Sequence, residues 1–212
     1  FDNVLTHGEA IMAAGYSFCS QSAAAFATDS RSPELVDLIL GLQRETKTGP
    51  GHRPAAHQAF PGQLRERLTG LAQAGVPMMV SGAYVASGAR NCPDAVAFLR
   101  SVLGVELRSD NAAALGRVSE VRSPYSAFFG GGTFSYSDEL GEKPYAVTMP
   151  DAIIPCASGA STIMRYDENQ SPAAVAFESP THKASTFGFP FEAITDKRQR
   201  NKLMNQILNF LK

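Results

Sequence analysis

The sequence predicts an α/β fold: a mainly parallel central sheet covered by helices, with an antiparallel β insertion in the second half. Three observations predict it. Through residue 104, apolar runs with strand character alternate with stretches of helical period. Residues 105–177 instead alternate apolar and polar positions between Gly and Pro breaks, which reads as antiparallel sheet. Finally, 212 residues, 44% of them hydrophobic and without a compositional break, suit one domain over 1–212 with a sizeable core.

Each element follows from local pattern. Residues 4–14 read as a helix and 16–20 as a short strand. Val36-Asp37-Leu38-Ile39-Leu40 is a central strand interrupted by one acid, and it runs on to Gly41, Leu42 and Gln43. Residues 46–61, rich in Gly and Pro and holding His52 and His57, form a loop over the strand ends. Leu64, Leu68 and Leu71 at helical spacing mark a helix over 63–74, and 76–81 is a buried strand. Pro93 and Asp94 open a helix whose apolar side carries Val96, Phe98, Leu99, Val102 and Leu103, and Gly104 stops it. Beyond it, 116–121 and 145–149 read as strands. Residues 161–166 and 173–177 flank the polar turn Asp167-Glu168-Asn169-Gln170 as a hairpin. Residues 183–189 form a last strand, and 196–211 a closing helix with Leu203, Ile207 and Phe210 facing inward. No strand is read before the first helix, so the expected first strand would lie upstream of Phe1 or on another segment, or the first element is misassigned.

Charge and composition exclude several classes. Nineteen basic against twenty acidic side chains give a net charge of -1, with no field for nucleic acid or an anionic surface. No apolar run reaches the roughly 20 residues of a membrane span. A chain beginning with Phe1 reads as an excised or matured segment whose targeting signal would lie upstream. Cys19, Cys92 and Cys156 lack zinc-site spacing and are odd in number, so neither a metal site nor a disulfide scaffold is expected. His7 and Glu9, two apart on a helix, do not share a face and make poor metal partners.

Two motifs stand out. Gly75-Val76-Pro77-Met78-Met79-Val80-Ser81-Gly82-Ala83-Tyr84 is a strand ending in a small-residue turn, where open α/β sheets place their chemistry. Near the end stands Phe187-Gly188-Phe189-Pro190-Phe191-Glu192. The first resembles the class I glutamine amidotransferase segment in which a Gly-Val-Pro strand leads to the nucleophile elbow. The second is similar to the strand end that supplies the histidine and glutamate of those enzymes. Together with Pro150-Asp151-Ala152-Ile153, they more closely resemble the amidotransferase-like domain of secreted bacterial proteins described as xanthan lyases. The resemblance implies a flavodoxin-like, Rossmann-like three-layer sandwich, a secreted or periplasmic setting, flanking domains and a carbohydrate partner. It implies no cofactor.

The reactive groups of that family are missing. Its nucleophilic cysteine falls on Gly82, with Ser81 beside it, and its histidine falls on Gly188 or Phe189. Glu192 alone matches. The expected function is therefore a catalytically silent module with a structural or glycan-binding role. The alternative is a hydrolase or lyase with a rebuilt site. Its candidates are Ser81 or Cys19 as nucleophile, a histidine from among His52, His57 and His182, and Glu192 with Asp151 as a carboxylate pair about 5 to 10 Å apart. Gln43, Gly82 and Tyr84 would line the ligand crevice. Tyr125, Phe128, Phe129, Phe134 and Tyr136 could stack on sugars, although at least half read as core. Gly130-Gly131-Gly132 lacks the lysine and helix start of a phosphate loop and reads as a hairpin tip.

Overall fold

The structure, a computed structural model, describes residues 3–41, 59–136, 147 and 149–212. In chain order the elements are α1 (Asn3–Ala13), α2 (Ala23–Thr28), β1 (Val36–Gly41), α3 (Gly62–Gln73), β2 (Met78–Gly82), α4 (Pro93–Val102), β3 (Val105–Ser109) and β4 (Arg117–Glu120). They continue with β5 (Thr133–Ser135), β6 (Ala152–Pro155), β7 (Ala160–Tyr166), β8 (Pro172–Glu178), β9 (Lys183–Phe187) and α5 (Lys197–Leu211). Short 3-10 turns occupy Ser87–Ala89 and Phe191–Ala193.

The main sheet has seven strands in the order β1-β2-β9-β8-β7-β4-β5, and β3 pairs with β6 as a separate ribbon. Two of its six pairings, β1–β2 and β2–β9, are parallel, whereas β9–β8, β8–β7, β7–β4 and β4–β5 are antiparallel. This corrects the expected fold class. The sheet is mixed and mostly antiparallel, not the mainly parallel sheet of a flavodoxin-like or Rossmann-like three-layer sandwich. A parallel pair needs a crossover of a dozen or more residues, usually helical, and the chain supplies helices between strands only before Val105. From β3 to β9 no helix intervenes among the described residues, and the links at 167–171 and 179–182 are tight turns. The antiparallel run is also no insertion, since β8 pairs directly with β9 in the same sheet.

Most local readings match the elements, with two exceptions. Residues 16–20 are irregular chain rather than a strand, and Ser22 caps α2 by accepting from the Ala25 N–H at 3.2 Å. Three serines and a glutamine within 17–22 compete for backbone hydrogen bonds and favour caps over strands. The expected strand at 145–149 lies mostly outside the described residues.

Two apolar clusters form the core, and period-2 alternation sorts strand residues between them. Ala174 and Ala176 of β8, with Met79 and Phe187, join residues of α1 and α5. Val175 and Phe177, with Met78, Val80 and Ala184, join α3, α4, Val105 and Ile153. β2 and all of β8 except Glu178 are buried. α5 is capped at its start by Asp196, whose carboxylate accepts from the Gln199 N–H at 2.9 Å. Gly104, at φ 67, adopts the left-handed conformation that ends the turn after α4.

Candidate functional site

The most charged buried cluster forms where α1 crosses the face of β1. His7 lies on the inner side of α1 with Ala10, and Asp37 is the second residue of β1. His7 Nδ1 is 2.7 Å from Asp37 Oδ2, and His7 Nε2 is 3.3 Å from Glu192 Oε2. The imidazole is 1% exposed, and the ring of Phe191 meets it edge-on at 4.7 Å. Burial opposes its charge, but the carboxylates of Asp37 and Glu192 outweigh burial and raise its pKa to about 9. At neutral pH it is therefore an imidazolium donating through both nitrogens, spent as a cation and unable to accept a proton. Glu192 thus has a histidine beside it, delivered by α1.

The expected nucleophile is not part of this cluster. Ser81 sits in β2 opposite Ile39 and Phe187, and it is fully buried. Among the described residues its Oγ has no hydrogen-bond partner, and none of them supplies a base to it. Gly82 is buried at the end of β2 opposite Gly41. Tyr84 is half-buried and packs against the cluster containing Phe187 and Phe191. Gln43, His52 and His57 lie outside the described residues.

Asp151 is a second buried centre. Its Oδ2 accepts from the N–H groups of Ala86 at 2.8 Å and Ser87 at 2.9 Å, at the turn that follows β2. Burial pushes its pKa up to about 6 against the pull of those donors. Its own N–H donates to Gly188 O at 2.7 Å, and the Tyr166 hydroxyl donates to its carbonyl at 2.7 Å. Asp151 therefore ties three segments together. Gly188 has no room for a side chain: a Cβ there would stand 2.0 Å from the Asp151 carbonyl oxygen. No side chain fits at that position without moving backbone.

The other candidates separate. Cys19 is an exposed free thiol in irregular chain. His182 lies before β9, its Nε2 on the Val102 carbonyl at 2.8 Å, with Ser179 Oγ 3.0 Å from its Nδ1, which makes it a structural tie to the end of α4. Among the proposed sugar-stacking rings, Tyr125, Phe129, Phe134 and Tyr136 are core, and Phe128 alone is exposed. Gly132 continues the β4–β5 pairing, its carbonyl accepting from the Glu120 N–H at 2.8 Å. No group of His, Cys, Asp and Glu suited to a metal occurs among the described residues.

What the sequence reading missed was His7. Its position on the inward side of a helix was one signal, and the acid in the apolar strand 36–40 was another, because a buried carboxylate needs a partner.

No family model matches the chain, and no curated protein matches it either. Solved structures do. A cytoplasmic protein of Salmonella typhimurium aligns with 97% of this chain and 85% of its own length, at 14% identity and a TM-score of 0.61. A second cytoplasmic protein, from strain LT2, aligns with 100% of this chain and 86% of its own, at 11% identity and a TM-score of 0.54. A β-galactosidase from Rahnella aligns with 98% of this chain at 15% identity and a TM-score of 0.58, and the chain spans 26% of that enzyme. These likenesses establish a shared fold.

Proposed function

We propose that this chain is a catalytically silent amidotransferase-like module with a structural role. The observation that carries this reading is His7: buried, charged and held between two carboxylates, it serves as a cation and not as a base. Two further features support it. Ser81 is sealed in β2 with no base on it among the described residues, and the backbone of Asp151 fills the space a side chain at residue 188 would need. Of the five rings the glycan-binding version of the role would use, Phe128 alone is exposed. The β-galactosidase shows the same fold as a quarter of a longer enzyme, which suits a supporting module.

The test is turnover. Purified protein is incubated with glutamine and, separately, with acidic polysaccharide, and followed for glutamate release and for unsaturated sugar products. No turnover above the protein-free control is expected. Turnover that disappears in Ser81→Ala or Glu192→Gln, with folding intact by circular dichroism, would overturn the proposal and restore the hydrolase or lyase reading.

A further inference from the structure

α1 is the least anchored of the four longer helices. α3, α4 and α5 bury four, four and six residues, all of them apolar. Over its 11 residues α1 buries only His7, Gly8 and Ala10, so one alanine is its fully covered apolar side chain. Its other attachments are slight. Ile11 is partly buried, and the Glu9–Lys197 bridge of 2.8 Å joins two solvent-facing side chains that water screens. The Phe18 ring packs on α1 itself, where a Cβ at Gly8 would meet its Cζ at 2.2 Å. Past α1 the chain turns at Gly15, φ 88, and residues 17–22 are all exposed, which leaves a hinge. What holds α1 is therefore His7, which reaches Asp37 of β1 at 2.7 Å and Glu192 of the turn at 191–193 at 3.3 Å. From α5, Lys197 and Arg200 act on Glu9 instead. An imidazolium donates to both carboxylates, whereas a neutral imidazole has one N–H for the two. Loss of the proton thus leaves a buried carboxylate without a donor from the ring, and undocking returns both acids to water.

We propose that α1 is a strap latched by the His7 cation, and that loss of this charge releases the helix as a unit and uncovers Asp37 and Glu192 while the sheet stays folded. The sheet keeps its packing without α1. β2 and β8 contribute to both apolar clusters; the cluster beneath α3 and α4 contains no residue of α1, and α5 still covers the other face. The direction follows from linkage. Burial opposes the charge on His7, but Asp37 and Glu192 outweigh it and hold the folded pKa at about 9 against an ordinary 6.5. The latch is therefore complete below pH 6.5 and is lost as pH rises through about 9.

Hydrogen exchange of the whole chain, read by mass spectrometry across this pH range and in low urea, tests the strap. The amides of α1 are expected to exchange at least about 100-fold faster than those of β8 and β9, relative to intrinsic rates, and almost independently of urea, the mark of local opening. Their protection falls about tenfold per pH unit between pH 6.5 and 9. His7→Gln, which carries no charge, removes that slope and leaves β8 and β9 protected. Should His7→Gln not fold, the pH series of the unaltered chain decides by itself. Three results overturn the proposal: α1 amides that share the urea dependence of β8 and β9, so that the helix leaves only with the whole fold; α1 protection that is flat over the range; or a slope that persists in His7→Gln. The strap rests on the reading of His7 as a structural cation, and failure of that reading shows separately, as turnover.

Discussion

Two buried carboxylate centres hold this molecule together, and they are neutralised by different means. On the α1 side of the sheet, Asp37 and Glu192 share one imidazolium, a side chain thirty residues from one and 185 from the other. At the turn after β2, Asp151 is met by two backbone N–H groups that the turn itself presents. The first is an ion cluster that depends on protonation of one ring, and the second is a hydrogen-bonded cap that depends on backbone shape. The lesson is that similar buried acids, each a plausible catalytic group by sequence, can be spent on assembly in two ways. Each way fails differently when disturbed.

The largest expected effect comes from removing the shared cation. His7→Ala leaves two buried carboxylates facing each other and should cost about 3–5 kcal/mol in urea denaturation. Adding Asp37→Asn and Glu192→Gln to His7→Ala should recover a large part of that loss. A small cost for His7→Ala alone would break the distinction between the two centres.

Next is the backbone that carries Asp151. Gly188→Ala should destabilise by about 1–3 kcal/mol, because the new methyl group runs into the Asp151 carbonyl. A shifted denaturation midpoint is the readout, and a neutral result would mean that the 151 and 188 segments yield easily.

The two centres should also separate along the pH axis. His7 has a folded pKa of about 9, above its ordinary 6.5, so its contribution is complete below pH 6.5 and is lost as pH rises through about 9. Asp151 has a folded pKa of about 6, above its ordinary 3.8, so its protonated form favours folding below 3.8 and that contribution is lost as pH rises through about 6. Stability profiles should therefore show two declining windows. The alkaline one should vanish when His7, Asp37 and Glu192 are all replaced.

The smallest effect belongs to Ser81. Its hydroxyl is buried without a partner among the described residues, so Ser81→Ala should change stability by less than about 0.5 kcal/mol, or raise it slightly. A large loss would reveal a partner for this hydroxyl and return Ser81 to the list of reactive candidates.

Much of the local structure was legible in the sequence. Leu64, Leu68 and Leu71 mark α3, Pro93 opens α4, and the turn at 167–170 joins β7 to β8, each because the information is carried within a few residues. Ser22 and Asp196 cap helices for the same reason. The candidate site was only half legible. Glu192 and Asp151 drew notice as acids near strand ends, but the partners that determine their roles, His7 and the N–H groups of Ala86 and Ser87, come from segments distant in sequence.

By itself the sequence determined four of the five helices and most of the strands with their buried faces, since period, capping and residue identity are local properties. Only the tertiary structure decided how the strands pair. The apolar runs of β2, β8 and β9 suit parallel and antiparallel neighbours alike, and the antiparallel arrangement follows from how the links between strands route the chain. Tertiary structure also decided that His7 would be a cation between two acids and that the exposed side of α1 would be apolar. Both depend on which side of α1 meets the sheet, and that is settled by packing the whole chain, where the buried charges of Asp37 and Glu192 required a partner.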